Sequence, residues 1–310
     1  MEKEPLLFTV FTPTFNRKEL LPRVYNCLQK QTYRNFEWVI IDDGSTDGTG
    51  ELVKQWQQEA DFDIIYQWQP NRGKHFAYNA VMKIARGELF TSIDSDDEVT
   101  PDNLERLKFH WDRFTEEDKK AIGGISFLCI DQHGQLVGDK FPKDYQVMDL
   151  MEMYFINKVQ GEKGGMMQTK AFTMYPFPEH IKNVVVPESS FMYQAARDWK
   201  MCFINEALRI YWLEDRTDSL SLLSKKPKNY PGSHYGHLCF LNNNMRFFTR
   251  RPKLCMGEAT RYAKLSFHLN MGIAKQLAAI KPFSAKILWA CCLPLGYLLY
   301  KKEKKRQNRI

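Results

Sequence analysis

Residues 89–97 read LFTSIDSDD, an apolar run that stops at a cluster of carboxylates. The apolar part predicts a buried β-strand, and Thr100-Pro101 predicts the cap and first position of the next helix. Carboxylates crowded at one strand end repel each other unless a cation or a hydrogen-bond donor lies there. Oxygen ligands suit Mg²⁺ or Mn²⁺, so Asp94, Asp96 and Asp97 are candidates for a metal site. Read alone, they fit a solvated acidic turn equally well.

The same pattern of strand and helix is repeated towards the N-terminus. Apolar runs predict strands at 6–11, 38–41 and 64–68. Apolar residues at helical spacing predict helices from near Lys18, around 52–56 and at 76–85. The order βαβαβαβ predicts a mostly parallel sheet flanked by helices, in which ligands bind beyond the carboxyl ends of the strands.

Two further polar segments follow predicted strands of this sheet. Residues 42–49 read DDGSTDGT, in which Asp42 or Asp43 can accept from a nucleobase or a ribose. Residues 71–74 read NRGK and place two cations near a helix N-terminus, a favourable position for phosphate. A capping turn and a solvated loop are the structural alternatives for these two segments.

Past residue 100 the pattern is less regular. We predict strands at 121–130, 200–204 and 208–213 and a helix at 190–197, with Gly164-Gly165 as a break between elements. After about Asp215 the sequence becomes helical and basic. We therefore expect an α/β domain at 1–215, a helical extension at 216–283 and an apolar and basic tail at 284–310.

The composition of the 310 residues is that of a globular protein, with 44% hydrophobic and 26% charged residues. The net charge of +7 suits phosphorylated ligands or anionic lipid. Nucleic acid is a poor explanation, because the basic residues flank an apolar helix and not a set of interleaved aromatics. Seven cysteines without a C-x-x-C pair indicate reduced thiols. The first five residues contain no apolar h-region, so we expect the α/β domain in the cytoplasm.

The C-terminal segment 284–300 reads SAKILWACCLPLGYLLY and precedes a basic run. It is short for a membrane span and is interrupted by Pro294 and Gly296. A helix in the plane of the membrane surface with a polybasic flank fits better, and it predicts peripheral attachment to the inner face of the membrane. A spanning helix and plain packing on the α/β domain are the alternatives.

Taken together, the motifs are more specific than any one of them. Pro13-Thr14 with Asn16-Arg17, then DDGSTDGT, then NRGKHFAYN, then SIDSDD appear in this order. In this order they resemble family 2 glycosyltransferases, the inverting enzymes of the GT-A fold that build bacterial cell-surface polysaccharides. The resemblance runs from about Phe8 to Ser221 and implies a Rossmann-like mostly parallel sheet flanked by helices, with a helical C-terminal extension.

The resemblance also implies roles for individual residues. Asp96 would bind the metal, Mg²⁺ or Mn²⁺, and the donor would be a nucleotide sugar, by family frequency a UDP-sugar. The acceptor would be a saccharide or a lipid-linked saccharide. The implied donor-binding residues are Pro13, Thr14, Asn16, Asp42, Asp43, Arg72, Lys74, Asn79, Asp94 and Ser95.

A carboxylate should also accept the proton of the attacking acceptor hydroxyl. The family often places this base in a Glu-Asp pair, and Glu188 occupies the matching position here. Ser189 stands where Glu-Asp members have Asp, which leaves Glu179 and Asp198 as competitors. His234 and His237 are weaker candidates for a further metal ligand.

Two other functions compete with glycosyl transfer. A sugar nucleotidyltransferase has a similar architecture, but it opens with a glycine-rich loop after the first strand, and residues 12–17 contain no glycine. A catalytically inactive relative that serves as a scaffold or binding subunit is the second alternative. The carboxylates that are kept at 94–97 argue against it, since a scaffold has no need to crowd like charges.

Overall fold

The structure, a computed structural model, describes residues 5–212 and 226–307. It divides into two compact units. The first contains Met1–Pro178 and Asp198–Thr217, and the second contains Glu179–Arg197 and Asp218–Ile310. The predicted strand end at Leu213 and the predicted domain boundary at 215 fall outside the described residues.

The first unit is built around one nine-stranded sheet in the order β3-β2-β1-β4-β8-β6-β9-β5, with β7 paired to β9. The strands are β1 Phe8–Thr14, β2 Phe36–Asp42, β3 Asp63–Trp68, β4 Leu89–Ser92, β5 Glu98–Val99, β6 Ile122–Asp131, β7 Gln146–Asp149, β8 Lys163–Gln168 and β9 Lys200–Tyr211. The helices of this unit are α1 Pro22–Gln29, α2 Thr49–Glu59, α3 Lys74–Val81, α4 Asn103–Trp111, α5 Leu150–Phe155 and α6 Thr169–Thr173.

Hydrophobic burial explains the N-terminal half of the sheet. All seven residues of β1 and of β2 are buried, as expected for central strands covered on both faces. Trp38 packs on one face against α1 and α2, and Tyr25 and Trp56 stack with ring centroids 4.5 Å apart. Phe11 points to the opposite face and meets Tyr78 of α3 at 5.0 Å. Helices therefore cover both faces, which confirms the predicted fold class.

The later strands make the sheet mixed. β1 to β4 pair in parallel, whereas β8 pairs antiparallel with both β4 and β6. The predicted break between elements at Gly164-Gly165 was wrong, because these residues lie inside β8. A Cβ on Gly164 would lie 1.9 Å from the Phe127 ring, so the glycine is needed for this close pairing.

Several predicted boundaries also shift. The first helix begins at Pro22 and not near Lys18, and α3 ends at Val81 and not at 85. α4 begins at Asn103, two residues after Pro101. The two strands predicted at 200–204 and 208–213 form one strand, β9.

The second unit is helical within the part of the chain that is described. Its helices are α7 Ser189–Ala195, α8 Tyr230–Asn243, α9 Pro252–His268, α10 Ile273–Ala279 and α11 Phe283–Gln307. α11 runs through Pro294 and Gly296 without a break. A Cβ on Gly296 would lie 2.7 Å from the Ala263 side chain, so this glycine lets α11 approach α9 closely.

Candidate functional site

The predicted site segments meet at one edge of the sheet, beyond the carboxyl ends of its parallel strands. Thr14 at the end of β1 is in register with Asp42 at the end of β2, and Asp42 with Trp68 at the end of β3. Ile93, just after β4, donates its N–H to the carbonyl of Phe11 in β1 at 2.9 Å. The loops that follow these strands therefore begin side by side.

Asp42 is fully buried, and both of its carboxylate oxygens are engaged. One accepts from the backbone N–H of Ser45 at 2.7 Å, and the other accepts from the hydroxyl of Tyr66 at 2.7 Å. Burial and the hydrogen bond to Asp42 raise the pKa of Tyr66. This geometry makes Asp42 a support for the loop, and Tyr66 is a supporting residue that the sequence pattern did not reveal.

Asp43 connects the second loop to the NRGK segment. It accepts from the backbone N–H groups of Arg72 at 3.1 Å and Gly73 at 2.8 Å, and from the side chain of Gln69 at 2.8 Å. Gly44 permits this approach, because a Cβ there would lie 2.8 Å from the backbone nitrogen of Asn71. Asp43 thus fixes the loop that carries Arg72 and Lys74.

Asn16 connects the first loop to the second. Its side chain accepts from the N–H of Thr46 at 2.8 Å, and its own N–H donates to the hydroxyl of Ser45 at 2.8 Å. Asn16 adopts φ 50°, a left-handed conformation that asparagine tolerates better than most residues. Its observed contacts therefore hold the two loops together.

Asn79 joins a third element to this edge. Its side-chain amide donates to the carbonyl of Phe177 at 3.0 Å and accepts from the N–H of Phe177 at 2.9 Å. Asn79 is buried, so its visible role is to hold the segment around Phe177.

Two other predicted donor-site residues carry buried polar atoms that lack a hydrogen-bond partner. The hydroxyl of Thr14 and the Nε of Arg72 have no hydrogen-bond partner among the described residues. The Arg72 guanidinium lies 4.5 Å from the centre of the Phe76 ring. Pro13 is buried in β1 beside Thr14, and Ser95 is buried within the acidic cluster.

The acidic cluster is brought together as predicted. Carboxylate oxygens of Asp94, Asp96 and Asp97 lie within 4.8 Å of one another. Asp94 pairs with Lys74 at 2.7 Å and lies 3.5 Å from Arg209. Asp97 is fully buried and pairs with Arg209. Among the described residues, only Asp96 of the three has a carboxylate with no hydrogen-bond or ion-pair partner.

Arg209 is the site residue that the sequence pattern missed. It lies in β9, and its Nε donates to Asp97 at 3.0 Å. Burial lowers the pKa of the Arg209 guanidinium and the carboxylates of Asp97 and Asp94 raise it, with a net upward direction that keeps it charged. An arginine more than a hundred residues from the acidic motif has no local signal that would connect the two.

Replacing Arg209 with methionine should strongly destabilise the first unit. The change leaves Asp97 buried without its cation, which costs about 3–5 kcal/mol. The double variant Arg209→Met/Asp97→Asn should recover most of this loss, because no unpaired charge remains. Thermal unfolding of the four proteins of the cycle measures the coupling. Equal melting temperatures for the wild type and Arg209→Met would exclude a stabilising pair.

Glu188, the predicted base, belongs to the second unit. It lies directly before α7, and its backbone carbonyl accepts from Phe191 at 3.0 Å and from Met192 at 3.2 Å. Of its two competitors, Glu179 lies in the second unit. Asp198 lies in the first unit and accepts a hydrogen bond from the Tyr175 hydroxyl.

Helix α8 packs closely against the segment that leads to Glu188. A Cβ on Gly232 would lie 2.0 Å from the carbonyl oxygen of Val185, and one on Gly236 would lie 3.5 Å from Pro187. Only the first distance is forbidden, so Gly232 is the residue that lets α8 lie against this segment.

Gly232→Ala is therefore expected to destabilise the second unit by about 1–3 kcal/mol, because backbone must move to make room. Gly236→Ala is the matched control on the same helix. Its Cβ makes an ordinary contact, and the gain in helix propensity is at most about 1 kcal/mol. Thermal unfolding of both variants makes the comparison. A melting temperature for Gly232→Ala as high as that of Gly236→Ala would contradict the close approach.

The two histidines of α8 differ in environment. His234 is buried, stacks on Tyr262 and places its Nε2 at hydrogen-bond distance, 2.9 Å, from the Ser266 hydroxyl oxygen. Burial lowers its pKa to about 4, so it is neutral at pH 7. His237 Nδ1 lies 2.5 Å from a carboxylate oxygen of Glu258. The packing of His234 makes it a structural residue of the second unit.

Comparison with known proteins decides the family. The profile of glycosyl transferase family 2 matches residues 9–173, which is more than half of the 310 residues. The chain belongs to glycosyl transferase family 2. The predicted family and the predicted enzyme class, a glycosyltransferase, are thereby confirmed.

Curated relatives match over part of their length. Glycosyltransferase GlyG of Streptococcus pneumoniae is 27% identical over 156 residues, which is 50% of this chain and 51% of GlyG. WcaA of Escherichia coli, described as a putative colanic acid biosynthesis glycosyl transferase, is 35% identical over 112 residues, 36% of this chain and 39% of WcaA. The chain thus spans about half or less of the length of these relatives.

Solved structures match over nearly the whole glycosyltransferase chain. Staphylococcus aureus TarS 1–349 in complex with UDP-GlcNAc superposes with a TM-score of 0.66, 17% identity and coverage of 97% of this chain and 92% of that one. The mannosyltransferase PcManGT of Pyrobaculum calidifontis, in complex with GDP-Man and Mn²⁺, gives a TM-score of 0.52 at 17% identity and covers 99% of this chain and 84% of that one. These likenesses confirm the GT-A fold.

Proposed function

We propose that this glycosyltransferase moves a sugar from a nucleotide-sugar donor to a hydroxyl of a saccharide or lipid-linked saccharide acceptor, with inversion and with the help of Mg²⁺ or Mn²⁺, in surface polysaccharide synthesis. The observation that carries the proposal is the meeting of the four motif segments and three carboxylates at one edge of the parallel strands. Such edges are where open α/β sheets bind their ligands.

The carboxylates fit a divalent cation. The Asp96 carboxylate lies next to that of Asp94 and has no hydrogen-bond or ion-pair partner among the described residues. Asp97, in contrast, is paired with Arg209. We assign Asp96 as the metal ligand and Asp94 as a contact to the donor, with Ser95 between them. When bound, the cation would neutralise the diphosphate that leaves with the donor nucleotide. The Mn²⁺ named for PcManGT supports this class of ion.

The donor pocket follows from residues with unsatisfied polar atoms. The buried Thr14 hydroxyl and Arg72 Nε gain a partner if a nucleotide binds between the loops, which removes the cost of leaving them unpaired. Pro13, Asn16, Asp42, Asp43 and Asn79 shape the loops around this space, and Lys74 supplies a cation for phosphate. UDP remains our choice of nucleotide. The two neighbours named above carry UDP and GDP respectively, so fold likeness does not select one.

The proposed base is Glu188. It would accept the proton of the acceptor hydroxyl as the hydroxyl oxygen forms a bond to the anomeric carbon, while the bond from that carbon to the diphosphate oxygen breaks and its electron pair leaves with the diphosphate. One displacement inverts the configuration at the anomeric carbon. The support for this role is the family resemblance of the segment that ends in Pro187-Glu188.

The C-terminal helix supports an association with membrane. Within the described ranges, Phe283–Arg306 is the single helix that is long and apolar enough to span a bilayer. Its most apolar 18-residue stretch has a mean hydropathy of 1.4, and 28% of that stretch is buried in the protein. Ala285, Trp289 and Cys292 are buried, whereas Phe283, Ile287 and Leu298 are exposed on another side. A helix with one packed and one exposed apolar side fits a membrane surface, so we propose a peripheral enzyme on the cytoplasmic face of the membrane.

The proposed domain division is the one drawn from the sequence, with a catalytic domain at 1–215, a helical extension at 216–283 and a tail at 284–310. Helix α11 contains most of that tail. Deleting it removes a packing partner of α9, so point variants test the membrane association better than truncation.

The proposed activity is tested by screening UDP-, GDP- and dTDP-sugars for binding and slow hydrolysis, each with Mn²⁺, with Mg²⁺ and with EDTA. Metal-dependent binding or hydrolysis of one nucleotide sugar is the expected result. Binding without turnover on any acceptor would favour the scaffold subunit. Release of pyrophosphate from a nucleoside triphosphate and a sugar 1-phosphate would favour the nucleotidyltransferase.

A further inference from the structure

The second unit contains a cleft that none of the predicted roles uses. Its volume is about 630 Å³, and it opens between the end of α9, the loop before α10 and the last turns of α11. Its wall is aromatic. The ring of Phe267 lies 5.1 Å from that of Tyr297 and 5.8 Å from that of Tyr300. Packed aromatic rings give the cleft a defined shape without any ligand.

Two lysines line the same cleft. The Nζ of Lys301 lies 5.2 Å from the centre of the Tyr297 ring, and the Nζ of Lys304 donates to the Tyr300 hydroxyl at 3.2 Å. Residues three apart on a helix face the same side, so the two charges share one opening. Among the described residues, neither lysine forms an ion pair with a carboxylate. An anion in the cleft would relieve their repulsion.

The carboxylate between the two lysines does not neutralise them. Glu303 pairs with Lys264 at 2.8 Å and with His268 at 3.1 Å, both on α9. Its negative charge is therefore neutralised on the side of α11 that packs against α9. The cleft keeps its positive charge, which defines the chemistry of its occupant as anionic.

Apolar side chains are exposed next to this charged opening. Ile273 lines the cleft and is 54% exposed, and Leu298, one residue from Tyr297, is 63% exposed. Leu295 and Leu277 are exposed as well. A molecule that carries a phosphate and a hydrocarbon chain would satisfy the lysines and these apolar groups together. Tyrosines between an apolar and a charged surface are typical of the lipid headgroup level.

We propose that this cleft binds the headgroup of one anionic phospholipid, with its phosphate between Lys301 and Lys304 and its acyl chains along the exposed apolar side chains. The inference rests on the proposed association with membrane. It adds that the headgroup is recognised at a defined place, whereas a basic tail alone would act by diffuse attraction.

The test uses the full chain and monomeric dihexanoyl phosphatidylglycerol below its critical micelle concentration, titrated by calorimetry. Dihexanoyl phosphatidylcholine and inorganic phosphate are titrated in parallel. We expect saturable binding of the phosphatidylglycerol and much weaker binding of the other two. Inorganic phosphate binding as tightly as the lipid would overturn the lipid assignment in favour of a free anion.

Two double variants distinguish specific binding in the cleft from general electrostatic attraction to the basic helix. Lys301→Gln/Lys304→Gln should weaken the binding of phosphatidylglycerol roughly 30-fold, the effect of two lysines. Lys302→Gln/Lys305→Gln removes the same charge from neighbouring positions that do not line the cleft, and it should leave the affinity within about 2-fold. An equal loss in both doubles would overturn the proposal.

A third variant blocks the cleft without changing charge. Gly272 lines it, its φ of −63° suits any residue, and a Cβ there would meet nothing within 4 Å. Gly272→Gln should therefore fold normally, with an unchanged melting temperature, and should abolish the binding of the monomeric lipid. Unaltered binding by this variant would contradict occupancy of the cleft.

Sedimentation with vesicles distinguishes the proposed lipid-binding cleft from the general association of the protein with membrane. Vesicles that contain phosphatidylglycerol should bind the wild type more strongly than Gly272→Gln. If the wild type binds vesicles but no monomeric lipid, the association with membrane stands and the cleft proposal fails. If it binds monomeric lipid and no vesicles, the cleft stands and the peripheral location fails.

Discussion

Asp96→Asn is expected to reduce sugar transfer by about a thousand-fold or more. Losses of this size are typical when an enzyme no longer stabilises the charge that develops on a leaving group. The change removes one negative charge from the three carboxylates within 4.8 Å of one another and keeps the shape of the side chain. Because the Asp96 carboxylate has no other partner among the described residues, the fold should be unaffected.

The measurement combines turnover with calorimetry of a nucleoside diphosphate in the presence of Mn²⁺ and of EDTA. Wild type should bind more tightly with Mn²⁺, and Asp96→Asn should show no difference between the two conditions. Glu98→Gln is the matched control, since Glu98 is the first carboxylate after the cluster and does not belong to it. If Asp96→Asn keeps the Mn²⁺ dependence, Asp96 is not the metal ligand.

Glu188→Gln should greatly reduce transfer while leaving the donor bound. Loss of a general base lowers turnover by about 10²- to 10⁴-fold, and the neutral amide cannot accept the acceptor's proton. Affinity for a nucleoside diphosphate should be unchanged, because the predicted donor residues belong to the first unit and Glu188 to the second. Single-turnover transfer and calorimetry separate the two effects.

Variants of the competing carboxylates complete this test. Glu179→Gln and Asp198→Asn should retain most activity. Asp198 already accepts from Tyr175, so its replacement tests a structural contact. Full activity of Glu188→Gln together with loss in either competitor would move the base to that residue. Because Ser189 breaks the Glu-Asp pattern of the family, this comparison is the decisive one.

The short-range signals in the sequence predicted the N-terminal half of the sheet well. An apolar run ended by carboxylates or glycine marks a central strand and its loop, since burial and turn chemistry both act within a few residues. These signals placed β1 to β4 and the loops after them. They failed at β8, where Gly164-Gly165 resembles a turn but pairs between two strands.

Several residues that the sequence motifs predict as donor contacts are seen in the structure to form hydrogen bonds within the protein. Asp42, Asp43 and Asn79 are buried, and their polar atoms hold loops in place. Among the described residues, the Thr14 hydroxyl and the Arg72 Nε have no hydrogen-bond partner, unlike those three side chains. A motif predicts which residues gather at a site, but it does not separate those that touch the ligand from those that support the loops.

The sequence by itself determined the family, the fold class and the cluster at 94–97, because strand periodicity and motif order can be read from contiguous stretches of sequence. Only the tertiary structure decided that Arg209 neutralises Asp97, that Tyr66 buttresses Asp42 and that α11 continues through Pro294 and Gly296. Each of these depends on residues far apart in sequence meeting in a buried, low-dielectric environment. There, an unpaired charge or a misplaced methyl group costs several kcal/mol, and no local pattern records which distant partner prevents that cost.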